Sequence, residues 1–581
     1  MEFTPDKHNK EFLQALDMVQ YTRRSLFLTG KAGTGKSTFL RYVASHTKKK
    51  HVVLAPTGIA AINAGGSTLH SFFKLPFYPL LPDDPNFSVQ KGRIFEFFKY
   101  NRTMRKLLEE LELIIIDEIS MVRADIIDAV DRILRVFSHN LREPFGGKQL
   151  LLVGDVYQLE PVVKADERDI LNRFYPNPFF FSARAFQELS LVSIELQKVY
   201  RQTDPLFVGV LDHIRNNTVS LSDLHLLNSR YEAEVTEDEE MRVTLATRRD
   251  QVDYINEHKL AELPGDASVF LGEKMGDFPD SSLPTTRDLL LKPGAQIIFV
   301  RNDFDKRWVN GTIGTVEGFD EEEETLYIVT ENGDPYDVKK ETWRNIRYTY
   351  NEEKKQIEEE ELGTFTQFPI RLAWAITVHK SQGLTFNKVV IDFSGGVFAA
   401  GQTYVALSRC RSLKGIELKK PLNRSDVFVR PEIVQFAQRF NNQQDLERAM
   451  REAQADIEYA AASKTFDEGD FDAFLAHFFK AIHSRYDIEK PAVMRLMRRK
   501  LGIINTLKQE IEALKEAEQR KNKALLRYAR EYVQMGDECL KHGMMEAALK
   551  NYDKAITLCP TYKEAWKKIK KLEKGMGLTG K

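Results

Sequence analysis

GKAGTGKS, at residues 30–37, sets the architecture of this chain, because it fits the phosphate-loop pattern G-x-x-x-x-G-K-[ST] without a mismatch. The apolar residues 25–28 before it predict a strand, and residues 38–45 after it predict a helix. The glycines let the backbone curl until its N–H groups point at phosphate oxygens, beside the positive end of the helix dipole. The loop therefore predicts a nucleoside triphosphate site.

Two side chains of the loop have distinct expected roles. Lys36 is expected to reach the β- and γ-phosphates, and the Ser37 hydroxyl is expected to hold Mg²⁺. The predicted nucleotide contacts here are Gly30, Ala32, Gly33, Thr34, Gly35, Lys36, Ser37 and Thr38.

The composition is that of an ordinary soluble globular protein, with 42% hydrophobic and 29% charged residues among 581. No apolar run approaches the roughly 18 residues of a membrane span, and the N-terminus has no secretory or transit pattern. The three cysteines have no metal-like spacing and predict reduced thiols in a cytoplasm. A formal net charge of −1 neither indicates nor excludes a nucleic-acid partner.

Apolar strands alternate with helical segments through the first 190 residues. The strands are predicted at residues 26–28, 52–55, 113–116 and 150–153. That alternation predicts a doubly wound parallel sheet, with its chemistry at the carboxyl ends of the strands. Residues 75–108 break the rhythm with four prolines and a basic helical stretch, so we expect an excursion from the sheet there.

Polar residues follow the third and fourth of these strands. Asp117 is expected to hold hydrated Mg²⁺, and Glu118 is expected to orient and deprotonate the attacking water. Gln158 follows the fourth strand, where its neutral amide is able to hydrogen-bond the γ-phosphate or the water. The alternative for Gln158 is a surface glutamine in a turn.

Small and hydroxyl-bearing residues open two predicted helices after the second strand, in APTGIAA at 55–61 and in GGSTLHSFF at 65–73. Such helix starts suit phosphodiester contacts, and a neighbouring aromatic suits base stacking. The alternative is helix capping, with core packing of the aromatics. The candidate nucleic-acid contacts are Thr57, Gly58, Thr68, His70, Ser71 and Phe72.

An ordered series of motifs runs through about the first 430 residues. The motifs are GKAGTGKST, APTGIAA, STLHSFF, LIIIDEISM, PFGGKQLLLVGDVYQLEPV, LQKVYRQ, ITVHKSQGLTF and YVALSRCRS. Together they resemble the petite-integration-frequency (PIF) family of DNA helicases, in the RecD-related B branch of superfamily one.

The resemblance implies an α/β fold with two RecA-like parallel-sheet motor domains, at residues 1–190 and 191–430. It implies that ATP and Mg²⁺ drive 5′→3′ movement on single-stranded DNA and unwinding of forked duplex DNA. Roles in replication, repair or recombination and in the maintenance of telomere-type or structured DNA follow from the same resemblance. We expect a monomer in the cytoplasm, associated with the nucleoid and not with a membrane.

The second motor domain offers further candidates by resemblance. Arg201 and Arg409 are expected to be arginine fingers, because guanidinium groups stay charged and bind phosphate oxygens in a fork. Taken alone, a single arginine is more often part of a surface salt bridge. The other candidates are Gln382 and Gly383 near the nucleotide, and Thr377, His379, Lys380 and Ser381 on the tracked strand.

Between Ile297 and Pro369, short runs with turn signals replace the α/β rhythm. This pattern suits a small antiparallel barrel, and the resemblance implies an SH3-like insert at residues 300–369. The insert is expected to cover the strand-binding channel; an inert elaboration is the alternative.

Residues 431–581 have a helical pattern throughout and are expected to form an all-α tail. Residues 532–565 match one tetratricopeptide repeat, in which small residues let two helices pack closely. The tail is expected to pack on itself, on the motor or on a protein partner. An apolar stripe predicts core packing at Ile503, Leu507, Ile511 and Leu514.

Residues 491–530 of the tail are basic, with 11 lysines and arginines against 4 aspartates and glutamates. Such a run is typical of a solvated helix face, and a duplex-DNA contact is the alternative.

Two other functions stay open on the sequence alone. One is a repeat-based adaptor whose ATPase only switches conformation, and the other is a motor that works on RNA. Strong stimulation of the ATPase by single-stranded DNA would separate a motor from an adaptor. Matched DNA and RNA oligonucleotides would separate the two motors, because one 2′-hydroxyl per nucleotide distinguishes them.

Overall fold

The structure is a computed structural model that describes residues 9–87, 93–189, 191–202, 204–231, 241–305, 307–320, 322–351, 353–354, 356–487, 489 and 491–575. The chain divides into two compact units, Met1–Ser484 and Arg485–Lys581, each of which is described by itself.

A six-stranded sheet forms the centre of the first motor domain. Its strands are β1 (Leu26–Gly30), β2 (His51–Ala55), β3 (Ser67–Thr68), β4 (Leu113–Ile116), β5 (Gln149–Val153) and β6 (Val192–Leu196). They pair in the order β3-β2-β4-β5-β1-β6, and every pair is parallel. The helices of this domain are α1 (Lys10–Tyr21), α2 (Lys36–His46), α3 (Gly58–Ala64), α4 (Leu69–Phe73), α5 (Arg93–Phe97), α6 (Arg102–Glu110), α7 (Ala124–Phe137), α8 (Ala165–Leu171) and α9 (Ala185–Glu188).

Four of these strands lie where the sequence pattern predicts them. Every residue of β1, β4 and β5 is buried, as expected for parallel strands that are covered on both faces. The sheet also contains β6, which pairs with β1 along its whole length. The first motor domain therefore extends to Leu196, beyond the predicted boundary at residue 190.

The excursion predicted at residues 75–108 lies between α4 and β4 and contains α5 and α6. Its side chains Phe87, Ile94 and Phe98 are buried in the same hydrophobic core as Phe27 of β1. The excursion is therefore packed on the first motor domain and does not form a separate module.

The second motor domain and its insertion contain fourteen strands and four helices among the described residues. The strands are β7 (Val243–Ala246), β8 (Ser268–Leu271), β9 (Glu273–Gly276), β10 (Asp288–Leu291), β11 (Gln296–Phe299), β12 (Ile313–Asp320), β13 (Thr325–Thr330), β14 (Pro335–Lys339), β15 (Glu341–Asn351), β16 (Gln356–Gln367), β17 (Ile370–Leu372), β18 (Ala375–Thr377), β19 (Val389–Asp392) and β20 (Ile416–Leu418). The helices are α10 (Pro205–Arg215), α11 (Leu221–Asn228), α12 (Arg249–Glu262) and α13 (Gln402–Leu407). A parallel sheet in the order β18-β7-β19-β20 forms the domain's centre.

The insertion comprises β8 to β17 and is antiparallel throughout. It spans Ser268–Leu372, so the predicted range of 300–369 missed its first strands, which are only four residues long and largely exposed. Its sheets have the orders β14-β13-β12-β11-β17, β15-β16-β9 and β10-β8. The first of these is an open sheet, and the likeness to an SH3 barrel stays a prediction.

The long hairpin of β15 and β16 packs against the first motor domain. The Tyr348 hydroxyl accepts a hydrogen bond from the Val53 N–H at 3.4 Å, and Ile346 joins the core of the first domain. Lys50 lies over the Tyr350 ring, 5.2 Å from its centroid. The insertion therefore bridges the two motor domains.

Three helices follow the second motor domain: α14 (Pro431–Ala437), α15 (Gln443–Glu468) and α16 (Phe471–Ser484). Phe436 stacks on Phe181 of the first motor domain with 4.3 Å between ring centroids, and Leu446 joins the core cluster of Leu16 on α1. Residues 431–484 are thus part of the motor unit. This corrects the prediction of one continuous tail from 431 to 581.

The second unit contains α17 (Pro491–Lys541), α18 (Met545–Leu558) and α19 (Lys563–Gly575). The Tyr552 ring lies against Gly536, where a β-carbon would come within 2.5 Å of a ring carbon. Ala529 and Ala548 are also fully buried in this small core. The close helix packing agrees with the repeat pattern, while assignment to the tetratricopeptide family stays a prediction.

The prediction that the apolar stripe on α17 is a core is wrong. Ile503, Leu507, Ile511 and Leu514 are 52%, 52%, 51% and 70% exposed. Helical spacing predicts that apolar residues share one face of a helix, and it does not supply a neighbour that covers that face.

Among the described residues, none of the helices combines the length and the apolar character needed to cross a bilayer.

Candidate nucleotide and nucleic-acid site

The phosphate loop connects β1 to α2, with Gly33 and Gly35 in the left-handed region at φ values of +80° and +90°. At Gly33 a β-carbon would lie 2.3 Å from Cβ of Arg201, and at Gly30 it would lie 2.6 Å from Oγ1 of Thr34. A side chain at Gly30 or Gly33 would clash with these neighbours, and the left-handed backbone at Gly33 also favours glycine.

Lys36 points back along the loop, where its Nζ donates to the carbonyl oxygens of Gly30 at 2.6 Å and Lys31 at 3.0 Å. Burial lowers the pKa of Lys36, while the carboxylates of Asp155 and Glu118 favour its charged form. The loop thus presents a partly buried cation beside acidic groups, in an environment where electrostatic interactions are stronger than in water.

Asp117 and Glu118 directly follow β4, and the Glu118 N–H donates to Oδ1 of Asp117 at 3.0 Å. Glu118 has a left-handed backbone with φ +48°, which is rare for a non-glycine residue and typical of functional sites. Burial, together with the charge of Asp117, raises the pKa of Glu118 to about 7. A carboxyl group with that pKa is suited to accept a proton from water near neutral pH.

The two predicted glutamines meet across the cleft between the motor domains. Gln158 is buried, which excludes the surface-turn alternative, and its Nε2 donates to Asp155 at 3.4 Å. Nε2 of Gln382 donates to Oε1 of Gln158 at 3.1 Å and to Oε2 of Glu118 at 3.4 Å. The second motor domain is thus linked to the predicted base.

Arg201 lies on the phosphate loop and not in a surface salt bridge. The N–H of its neighbour Tyr200 donates to the Gly33 carbonyl at 2.9 Å, and its own Nη2 donates to the Gly383 carbonyl at 3.4 Å. Nη1 of Arg201 is buried without a hydrogen-bond partner in the described part of the chain. A buried donor of this kind costs about 1–3 kcal/mol or more, which a phosphate oxygen would offset.

Arg409 is fully buried in the second motor domain, facing the same cleft. Its Nη1 donates to the Ser381 carbonyl at 3.3 Å, and its Nη2 donates to Oγ of Ser408 at 3.0 Å. Burial lowers the pKa of Arg409 to about 9, while Glu118 and Asp155 favour its charged form. The guanidinium therefore remains charged at neutral pH.

The predicted nucleic-acid contacts on α3 and α4 lie at helix starts. The Thr57 hydroxyl accepts from the Ala60 N–H at 3.2 Å, and the Thr68 hydroxyl accepts from the Ser71 N–H at 3.1 Å. Both hydroxyls thus cap helices, as the alternative interpretation has it, while Thr57 and Ser71 remain exposed. At Gly58 a β-carbon would lie 2.4 Å from Oγ of Ser282, so the insertion packs on the start of α3.

The prediction that Phe72 stacks on a base is wrong. Phe72 is buried in the core, where it makes edge contacts with Phe73 and Tyr348. His70 is partly buried and lies parallel to the ring of Phe77, with 5.0 Å between centroids. Phe77 is 82% exposed, so a large part of its ring is accessible to solvent.

The loop after β18 contains the remaining candidates. The Thr377 hydroxyl accepts from the Lys380 N–H at 3.2 Å, and burial lowers the pKa values of both His379 and Lys380. Ser381 is fully buried, and its Oγ donates to the Val378 carbonyl at 2.8 Å. The prediction that the Ser381 side chain contacts a strand is therefore wrong, because this hydroxyl closes a turn.

Ser37 and Asp117 offer oxygen donors, which Mg²⁺ prefers. Ser37 is exposed in the first turn of α2, whereas burial raises the pKa of Asp117, which a cation would counteract. Among the described residues no group of three or more His, Cys, Asp and Glu side chains could hold a metal. Mg²⁺ needs no such group, since it binds through one or two side chains with phosphates and water. The residues present therefore fit Mg²⁺.

Comparisons with known proteins agree with this geometry. A family model described as PIF1-like helicase matches residues 6–219. The ATP-dependent DNA helicase PIF1 of Rattus norvegicus is 34% identical over 431 residues, which cover 72% of this chain and 62% of that protein. The crystal structure of Bacteroides sp Pif1 in complex with ADP-AlF4 is 39% identical, with a TM-score of 0.68 and coverage of 75% of this chain and 97% of that one. A Bacteroides Pif1 helicase in complex with ADP-AlF3 and ssDNA has the same identity and coverage, with a TM-score of 0.54.

This chain belongs to the PIF1-like helicase family. The resemblance inferred from its ordered motifs is thereby confirmed, as is the α/β fold of its motor. The chain spans about three fifths of the length of the rat relative. About a quarter of this chain lies outside the match to the Bacteroides structures.

Sequence reasoning missed Tyr404 in this PIF1-like motor. Its buried hydroxyl accepts a hydrogen bond from the Ala32 N–H of the phosphate loop at 3.0 Å. Gln202 similarly joins the domains, since it lies beside Gly33 and its Nε2 donates to the Ser408 carbonyl at 3.0 Å. Both residues lie inside motifs on which the family resemblance rests, and this position could have marked them as candidate site residues.

Arg215 of α10 was also missed, and no motif marks it. It forms ion pairs with Asp155 at 3.2 Å and Glu195 at 2.8 Å, and its guanidinium lies 4.3 Å from the centroid of the Tyr157 ring. All three partners belong to the first motor domain, whereas α10 packs in the core of the second. These PIF1-like motor domains are thus joined by a buried ion pair behind Gln158.

Proposed function

We propose that this chain is an ATP-dependent DNA helicase that hydrolyses ATP in the cleft between its motor domains. The observation that carries the proposal is that groups of the second domain lie directly on the phosphate loop of the first. Arg201 packs on Gly33, and Tyr404 accepts from the Ala32 N–H. The name of the rat relative, an ATP-dependent DNA helicase, supports the same activity.

Hydrolysis requires a base, a cation for the transferred phosphate and charge from across the cleft. Glu118 is the base, because its raised pKa and its hydrogen bond from Gln382 hold it ready to orient and deprotonate water. Lys36 leaves the loop carbonyls to bind the β- and γ-phosphates. Arg201 and Arg409 stabilise the charge that develops on the γ-phosphate.

Ser37 and Asp117 would hold Mg²⁺ in this site. When bound, the ion supplies positive charge that neutralises the phosphate oxygens. The protein's own contribution is to place one hydroxyl and one carboxylate, with Lys36 and Glu118 close by.

Hydrolysis is coupled to movement because the bound γ-phosphate holds the two domains together, and its loss lets them separate. The two Bacteroides structures match this chain with the same identity and coverage and with TM-scores of 0.68 and 0.54. The proposed contacts to the strand are Thr57, Gly58, Thr68, His70 and Ser71 on the first domain, with Thr377, His379 and Lys380 on the second. Alternate tightening of these two sets would move a strand through the cleft.

Single-stranded DNA and forked duplex are the proposed substrates, with 5′→3′ polarity. The relative solved with ssDNA supports the strand, and the polarity rests on the family resemblance. Unwinding of duplexes with a 5′ or a 3′ single-stranded tail tests both, and we expect unwinding of the 5′-tailed duplex alone. Unwinding of only the 3′-tailed duplex would contradict the polarity.

ATPase measurements with matched oligonucleotides test the motor itself. We expect turnover to rise strongly with single-stranded DNA and much less with RNA of the same sequence. Little stimulation by either would favour the adaptor, and equal stimulation would favour a motor without strand preference.

A further inference from the structure

The charge of this chain is divided unequally between its two units. Residues 485–581 contain 23 lysines and arginines against 13 aspartates and glutamates, a net charge of +10. Residues 1–484 contain 61 against 72, a net charge of −11. The near-neutral total therefore conceals a basic unit attached to an acidic motor, and such asymmetry is typical of a segment that binds an anionic polymer.

On α19 four of the six lysines form one straight row. Lys563, Lys567, Lys570 and Lys574 have the spacing i, i+4, i+7, i+11, which places them on a single helix face, and all four are exposed. The opposite face of α19 packs in the hydrophobic core of this unit through Ala565, Ile569 and Leu572. The row is about 16 Å long at 1.5 Å per residue.

Lys568 of the same helix differs from these four lysines, because it faces α17 and has an acidic partner. Nζ of Lys568 donates to both carboxylate oxygens of Asp537 on α17, at 2.7 and 2.6 Å. Within the described part of this unit, none of the four lysines of the row has an acidic partner within ion-pair distance. Their charge is therefore directed at solvent and is not used in the fold.

An aromatic side chain lies beside the row. Trp566 is three residues from Lys563 and four from Lys570, so these side chains are neighbours on the helix surface. Its Nε1 donates to the Pro560 carbonyl at 2.9 Å, which fixes the ring while leaving the side chain 46% exposed. Fixed aromatics between basic side chains are a feature of surfaces that hold a strand and stack a base.

We propose that α19 is a second DNA-binding surface, formed by residues of the second unit, at which Lys563, Lys567, Lys570 and Lys574 contact consecutive phosphates. A DNA strand carries one charge per roughly 3.4 Å of helix axis, so a 16 Å row faces about five phosphates. A single strand and a duplex share this phosphate row, and Trp566 distinguishes them because only an unpaired base offers a face for stacking.

The test is fluorescence anisotropy of the full chain with a labelled single strand and with a blunt duplex, across a series of salt concentrations. The variant Lys567→Gln/Lys570→Gln removes two charges from the row. Lys550→Gln/Lys554→Gln removes two exposed charges from α18 and is the matched control. Each lost phosphate contact lowers the slope of log K against log[salt] by about 0.7 for a single strand or 0.9 for a duplex.

We expect the row variant to bind roughly 3- to 10-fold more weakly at low salt, with its slope reduced by about 1.4 or 1.8, while the control matches the wild type. Equal losses in both variants, or no loss in either, would overturn the proposal. Trp566→Ala then identifies the ligand: weaker binding of the strand alone assigns the row to single-stranded DNA, and unchanged binding of both forms assigns it to duplex.

ATPase at saturating single-stranded DNA separates this surface from the motor. The row variant is expected to keep the wild-type maximal turnover, because every residue assigned to the nucleotide site belongs to the first unit. Absence of DNA stimulation in the wild type would refute the motor proposal and leave the anisotropy result to decide the surface on α19.

Discussion

The two motor domains contribute to the nucleotide site in different ways. In the first, Lys36 and Glu118 follow β1 and β4, two buried strands that pair with the two sides of β5, so the sheet itself positions them. In the second, Arg201 and Gln382 lie in loops, and Arg409 follows a six-residue helix. The first domain thus has a preformed phosphate site, whereas the second contributes groups whose effect depends on how closely the domains approach.

The largest expected effect comes from removing Lys36, the cation of the phosphate loop in the first motor domain. Lys36→Ala should lower ATP turnover by roughly 10³-fold or more, because phosphoryl transfer depends on charge placed on the phosphates. Binding of single-stranded DNA should stay within a few-fold of wild type, as measured by anisotropy. Substantial strand-independent hydrolysis in this variant would contradict the assignment of Lys36.

The second-largest effect is expected from breaking the buried ion pair between the motor domains. Arg215→Met leaves Asp155 and Glu195 buried without their cation, which costs about 3–5 kcal/mol and should lower the melting temperature by several degrees. Adding Asp155→Asn should restore part of that loss, since the uncompensated charge is removed. Additive losses in the double variant would show that the two side chains are not coupled.

The pH dependence of hydrolysis tests Glu118, the proposed base of the first motor domain. Glu118 acts as a base when deprotonated, and its pKa is raised to about 7, so activity is lost as pH falls through that value. At pH 6 we expect kcat/KM for ATP to be about tenfold below its plateau. Glu118→Gln should lower the plateau rate by about 100-fold and remove this limb from the remaining activity. A midpoint near 4.5 in the wild type would mean that the carboxyl group is not perturbed.

The smallest effect is expected from Tyr404, a contact made only through the approach of the domains. Tyr404→Phe removes the hydroxyl that accepts from the Ala32 N–H, and one neutral hydrogen bond contributes about 1 kcal/mol. The freed N–H becomes available to phosphate, so KM for ATP should fall by up to about 5-fold. An increase in KM would instead place the hydroxyl on the nucleotide.

The same contrast explains how far the sequence could predict this molecule. The phosphate loop and Asp117-Glu118 were predictable because each is a short contiguous pattern directly after an apolar strand. Arg215 was not, since its partners are 60 and 20 residues away in sequence and an amphipathic helix gives no sign of them.

Burial was the second limit. Phe72 and Ser381 lie inside recognisable motifs, yet both side chains face the interior. For the apolar stripe on α17 the error is the reverse, because residues predicted to be buried are exposed. A one-dimensional pattern gives the face of an element, and only tertiary contacts decide what that face meets.

The measurement that tests the shared site most directly is the binding of ADP and of ADP-AlF4, a mimic of the transferred phosphate, to wild type, Arg201→Ala and Arg409→Ala. Both arginines are assigned to the transferring phosphate, so each variant should bind ADP within about threefold of wild type and lose roughly 100-fold or more in affinity for ADP-AlF4. If both ligands are bound as tightly as by wild type, or are weakened equally, the second motor domain does not complete the site.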